Sequence, residues 1–204
     1  PIFHERPDIE LACYTPATFM NMPRRLFSWL KSRPQPGLLA IQSSAEGLSH
    51  AELSWHNGRP GLAACVFRQG EAESEKSWSR FGNAPLPVSL VLSPRDYQLL
   101  PIDAPPVPPQ EMKMAVRWRV KDLIDFPVDD ATVDVIRLDA GQAGPGGKLL
   151  AVVAHNQVLK RYIELVERAR LKLAAIDIPE LAQRNLAALL ETPGRVLALL
   201  SLTP

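Results

Sequence analysis

Residues 90–135 read LVLSPRDYQLLPIDAPPVPPQEMKMAVRWRVKDLIDFPVDDATVDV, and the change of rhythm inside that stretch decides the fold class. Tyr97 to Ile102 is an extended apolar run, and the proline-rich bend Pro105 to Pro109 ends it because fixed φ angles and missing amides break a strand. From Pro109 to Phe126 the apolar residues Met112, Ala115 or Val116, Val120 and Leu123 recur at three and four spacing, the stripe of an amphipathic helix. Pro109 is tolerated in the first helical turn, and Pro127 stops the helix. Asp129 and Asp130 fall in a turn, where their side chains are expected to bond nearby backbone amides. Thr132 to Leu138 then resumes a strand. Strand, helix and strand in this order predict an α/β domain.

Working towards the N-terminus, Pro87 to Leu92 reads as a buried strand, preceded by a charged and polar stretch, Gln69 to Ser77, and a weakly patterned one to Phe81. Leu38 to Gln42 is a short apolar run and Leu48 to Trp55 alternates. Asn57-Gly58 is a hairpin signal, and Gly61 to Arg68 is a third strand, so an antiparallel meander is expected. Towards the C-terminus, the loop AGQAGPGGK leads into a strand, Leu149 to Ala154. A strong helix follows with Val158, Tyr162, Val166 and Ala169 inward, and Lys160, Arg161, Glu164, Glu167, Arg168 and Arg170 on its solvated faces. Leu173 to Ile178 is a strand, Pro179 to Glu191 a helix, and Arg195 to Leu202 a last strand.

The 204 residues are 46% hydrophobic and 22% charged with a formal charge of +1, enough apolar content for one sizeable core or two small lobes and too little charge to hold a polyanion. Nucleic-acid binding and disorder are poor readings. No uncharged apolar run approaches the roughly 20 residues of a spanning helix. Cys13 and Cys65 lie far apart without metal-ligand spacing, which fits a reducing cytoplasm. Residues 1–22 lack any period and read as a tail, an upstream translation or a cloning remnant, with the native reading starting at Met20 or Met22.

Met20 to Arg33 holds four cations and no acid. Arg24, Arg25, Leu26, Phe27, Trp29 and Leu30 are candidates for contact with an anionic membrane surface; the alternative is a basic turn docked on the protein itself. Gly141 to Lys148 looks like a phosphate loop, but the spacing is off by one, Leu149 replaces the hydroxyl, and a strand follows where a helix N-terminus is needed. Ser28-x-x-Lys31 lacks the partner motifs of a β-lactamase site. His4, His50, His56 and His155 lack ligand spacing and read as structural or exposed. No metal and no cofactor are expected.

The quoted stretch, above all AVRWRVKDLIDFP from Ala115 to Pro127 with the acidic turn and strand after it, resembles the PilM-like family of type IV pilus assembly proteins. Within that family it is similar to the MshI group of the mannose-sensitive haemagglutinin (MSHA) pilus. LLAVVAHNQVLKRYIELVERARLKLAAIDIPELAQRNLAALL, Leu149 to Leu190, looks like the next strand, helix and Ile-Asp strand of the family. The resemblance covers about residues 23–204, the first half of such a protein. It implies an actin-like fold, as in actin and FtsA, with residues 1–35 a tail and basic segment. Residues 36–92 plus 174–204 would form an incomplete core lobe and 93–173 an inserted α/β subdomain.

Nucleotide-binding relatives carry an Asp-x-Gly phosphate loop on the first strand, where this chain has Ala40-Ile41-Gln42. The position of the second loop reads Ser201-Leu202-Thr203. The resemblance therefore implies a scaffold without ATPase chemistry rather than an enzyme. The alternatives are an active actin-like ATPase and a GspL-like cytoplasmic domain of type II secretion. The implied partner is a PilN-like inner-membrane protein whose cytoplasmic peptide docks on a protein located in the cytoplasm at the inner membrane. Tyr97, Trp118 and Phe126 are the candidate apolar anchors for it, in a groove beside the insertion. The alternative is that all three are core.

Overall fold

Alternation builds the main sheet. The computed structural model describes residues 37–56, 59–70, 74–82, 86–138, 147–190, 192 and 197–200. Strand β1 (Gly37–Ser43) buries every second side chain, with Leu39 and Ile41 inside. It pairs antiparallel with β2 (Gly47–His56), which pairs antiparallel with β3 (Arg59–Gln69), the expected meander. The Asn57-Gly58 turn lies outside the described residues. Gly47 is required where these strands meet, since a Cβ there would stand 2.1 Å from the Arg68 carbonyl oxygen. On the other side of β1, β4 (Pro87–Val91) and β8 (Lys172–Asp177) run parallel, giving the order β3-β2-β1-β4-β8.

Adjacent parallel strands need a crossover, and the one between β4 and β8 holds a second sheet. Strands β5 (Tyr97–Asp103), β6 (Ala131–Arg137) and β7 (Lys148–His155) form it in the order β5-β7-β6, all antiparallel. Helix α2 (Met112–Val120) covers one face with Met112, Val116 and Val120, making a core with Ile102, Ala131, Leu149, Ala151 and Val153. This helix is shorter than the span Pro109 to Phe126. Beyond Val120 the chain tightens into a turn, with Leu123 N–H donating to the Val120 carbonyl, and Leu123 is 54% exposed. Pro127 keeps Phe126 out of αR, and the inward stripe runs out of sheet to cover.

The crossover returns through helix α3 (Asn156–Arg168), whose buried side chains Leu159, Tyr162, Leu165 and Val166 join one core with Leu39, Ile41, Val88, Leu90 and Ile176. Val158, placed inward by the sequence pattern, is only partly buried. α3 packs against β7 as well as β8, and its core takes in Tyr97, Ile136, Val152 and Ala154 of the second sheet together with the main-sheet residues. α3 ends in a paired turn: Arg170 N–H donates to the Glu167 carbonyl and Leu171 N–H to that of Val166. This forces Arg170 to φ 57°, where glycine is usual. A one-turn helix α1 (Glu75–Ser79) drops Trp78 into the same core at full burial, and α4 (Pro179–Leu190) starts on Pro179 as its sequence predicts. Residues 197–200, expected within a last strand, carry no regular structure and expose Leu197, Leu199 and Leu200; the rest of that strand lies outside the described residues.

Candidate functional site

The outer face of α2 is not what a solvated helix usually shows. Opposite its buried stripe stand Met114 and Trp118, 63% and 66% exposed, so Trp118 is not a core residue. The indole is one wall of a groove of about 740 Å³. Pro101, Ile102 and Asp103 of β5 line it from the sheet, and Arg119, Asp122 and Leu123 line it with Trp118 from the end of α2 and the turn beyond. Lys148 closes one end, joined to the Asp103 carboxylate at 2.5 Å across the β5–β7 pair. The Lys148 hydrogen bond and charge hold that carboxyl below its usual range. Arg119 Nη1 donates to the Asp103 carbonyl at 3.3 Å, and the Lys121 ammonium lies 5.9 Å from the centre of the Trp118 ring.

Exposed apolar walls, balanced charges at the rim and a strand edge for a floor suit an extended peptide. β5 is an outer strand with no strand partner beyond it among the described residues, although the Asp103 carbonyl already accepts from Arg119. Ala104 N–H donates to the Gly147 carbonyl, so by alternation Ile102, Leu100 and Gln98 bond towards β7 and the groups of Leu99, Pro101 and Asp103 face outward. Pro101 has no N–H to offer there, which fits a proline on an outer strand.

The three aromatic candidates are not brought together. Tyr97 begins β5, six residues before Asp103 and so roughly 20 Å along the strand from that end of the groove. It is only 8% exposed, and its hydroxyl donates to the Glu180 carboxylate, which corrects its assignment as a surface anchor. Burial, and then Glu180, push its hydroxyl pKa far up. Phe126 is half-buried against the His155 ring at 4.8 Å. Only Trp118 stands free in the groove. Asp103, Arg119, Leu123 and Lys148 carried no sequence signal as site residues, because the register of two strands brings Asp103 to Lys148 and only the packing of α2 on that sheet brings Arg119 and Leu123 beside them. Candidates Arg24, Arg25, Leu26, Phe27, Trp29 and Leu30 lie outside the described residues, as does most of the loop Gly141 to Lys148.

At the end of β1, Ala40 and Gln42 are half-buried strand residues and Ser43 is buried. The turn into β2 is closed by Ser44 and Gly47, which exchange backbone bonds of 2.9 and 3.2 Å. Its acid, Glu46, is kept below the usual carboxylate range by the Ser44 hydroxyl, so it is a poor neighbour for a phosphate. Asp129 and Asp130 lie in the expected turn, a 3-10 turn (Val128–Asp130) closed by the Asp130 N–H donating to the Pro127 carbonyl, and Asp129 faces Arg117 at 3.7 Å. His155 caps α3, its Nδ1 accepting from Gln157 N–H at 3.0 Å, and His50 stacks edge-on with Phe81. Among the described residues no group of three or more His, Cys, Asp or Glu could hold a metal, and no helix is long and apolar enough to cross a membrane.

A chain of a PilM–PilN type IV pilus biogenesis complex superposes with a TM-score of 0.61 at 22% identity, over 72% of this chain and 48% of that one. The cytoplasmic domain of EpsL, an inner-membrane component of the type II secretion system of Vibrio cholerae, superposes with a TM-score of 0.54 at 15% identity, over 70% and 57%. The fold is actin-like. The chain spans about half the length of these structures. No family model and no curated protein matches it. At these identities the likeness is one of fold.

Proposed function

We propose that the chain belongs to a PilM-like scaffold of type IV pilus biogenesis, of the MshI group of the MSHA pilus, that binds the cytoplasmic segment of a PilN-like inner-membrane protein. The observation that carries the reading is the Trp118 groove on a fold like that of a PilM–PilN complex chain. An open strand edge takes an extended segment, and an exposed indole supplies the kind of large apolar contact that dominates such binding. The place of work is the cytoplasmic face of the inner membrane, reached through the partner and through the basic segment Met20 to Arg33. A role in type II secretion is the second reading, supported by the likeness to EpsL at a lower TM-score.

The same reading makes the protein a pseudo-enzyme. Ala40 and Gln42 offer neither a metal-holding carboxylate nor a close-approach glycine, and Gly47 is occupied with β3 packing. ATP with Mg²⁺ at millimolar concentration is expected to leave the melting temperature unchanged, since binding to the native state would raise it. A saturable rise would overturn this part and favour the ATPase.

The partner reading is tested by titrating the protein with the cytoplasmic peptide of a PilN-like protein from the same organism. Trp118→Ala is expected to weaken binding by about 2 kcal/mol, roughly thirtyfold, with the melting temperature unchanged because the ring is mostly in solvent. Equal affinity of the two proteins would remove the groove from the function.

A further inference from the structure

Among the described residues nothing pairs with the outer edge of β3 in the main sheet, although Arg59, Pro60 and Arg68 flank it and a bulge opposite Glu52 and Leu53 interrupts its pairing with β2. Residues 61–67 of β3, GLAACVF, contain no charge and no proline. Natural edge strands are blunted by charges, prolines or short length, because their unpaired N–H and C=O groups recruit another strand. β3 is eleven residues long, and Leu62 and Phe67 are 64% and 55% exposed. Cys65 is an exposed free thiol between them.

The backbone fixes which residues face outward. Gly47 bonds across to Ser44, so Leu48, His50 and Glu52 turn their backbone groups to β3 and face Arg68, Val66 and Ala64. The bond from Gly70 N–H to the Glu46 carbonyl continues that alternation. The outward groups are therefore those of Cys65, Phe67 and Gln69.

We propose that this edge pairs antiparallel with β3 of a second copy of the chain, about a two-fold axis at Val66. Outward groups must meet outward groups, which near the strand centre leaves three registers: Cys65 opposite Cys65, Cys65 opposite Phe67, or Phe67 opposite Phe67. Charge selects the middle one. There Arg68 lies opposite Ala64 of the second copy, whose β2 neighbour is Glu52. Arg68 and that Glu52 share one face, two strand spacings or about 10 Å apart, with only a methyl group between them. Extended arginine and glutamate side chains close that gap, and the two-fold repeats the pair. The other registers set Arg68 over Leu62 or Val66, leading to Leu53 or His50 and not to an acid. On the opposite face each Phe67 covers Cys65 of the other copy. The contact is isologous and closes at two copies.

Sedimentation of the full chain carrying Cys13→Ser, which leaves one thiol, tests this. A monomer–dimer equilibrium in the micromolar range is expected. Val66→Lys places two like charges at the axis and is expected to give a monomer of unchanged melting temperature, since Val66 is 37% exposed at the sheet edge. Arg68→Glu or Glu52→Arg alone is expected to weaken the dimer on the order of tenfold, and the two together to restore it. A wild-type chain that stays monomeric, or one that forms open-ended aggregates indifferent to the charge swap, would overturn the proposal.

Discussion

A carboxylate that loses water on folding must recover the cost from its surroundings, and Asp177 recovers little of it. It ends β8, and burial pushes its carboxyl up to about 6 although the Ile178 N–H donates to it at 2.8 Å. The folded state therefore binds this proton more tightly than the unfolded chain, whose ordinary value is 3.8. Its contribution is most favourable below the unfolded value and is lost as the pH rises towards and through about 6. The shift corresponds to at most about 3 kcal/mol. Asp177→Asn is expected to raise the melting temperature at pH 7.5, to change it little at pH 4, and to flatten the profile between; an equal effect at both pH values would place the strain elsewhere. The gain at neutral pH falls short of the full figure because Asn forfeits a negative charge near the N-terminus of α4, where such charge is favourable.

At the scale of elements, two tryptophans in similar polar surroundings have opposite fates. Trp78 of α1 is fully buried, whereas Trp118 of α2 is mostly in solvent. Trp78→Ala is expected to cost about 3–5 kcal/mol in denaturant unfolding, against almost nothing for Trp118→Ala; similar losses would contradict the assignment of either. The eight strands were legible as short apolar or alternating runs between turn and proline signals, and the three longer helices from the three–four stripe that reflects one-sided burial, whereas the ninth expected strand is not regular over residues 197–200. α1 was not legible, since a single turn has no stripe and only its tryptophan hints at a core. The end of α2 was misjudged because Leu123 continues the pattern of Val116 and Val120 although no sheet lies beneath it. For the site, Trp118 was legible as a candidate but its exposure was not, because the neighbours Ala115, Val116 and Val120 allow either face to be inward until the sheet position is known. The Asp103–Lys148 pair depends on β5 meeting β7 in one register, which no local pattern specifies.

At the scale of the whole molecule, the second sheet sits within a crossover and shares the main core through Tyr97, Ile136, Val152 and Ala154, and it must be held at a fixed angle if its groove is to present a defined surface. Two tyrosine–carboxylate bonds bracket the point where the chain enters it. Tyr162 of α3 donates to Asp96 at 2.7 Å, with Arg161 also 3.7 Å from that carboxylate, and Tyr97 on β5 donates to Glu180 on α4. Burial, then Asp96, push the Tyr162 hydroxyl up to about 12, so neither bond opens by tyrosine ionisation near neutral pH. Removing the hydroxyls leaves each ring in its apolar site but takes a donor from each carboxylate, at about 1.5–3 kcal/mol per bond to a charged group. Tyr97→Phe with Tyr162→Phe is therefore expected to accelerate amide exchange in β5 to β7 more than in β1, β2 and β4, whose hydrogen bonds do not depend on the angle between the sheets. If both sheets lose protection equally, the bonds serve global stability alone; protection lost only in the second sheet makes them the joint that sets the groove against the main lobe.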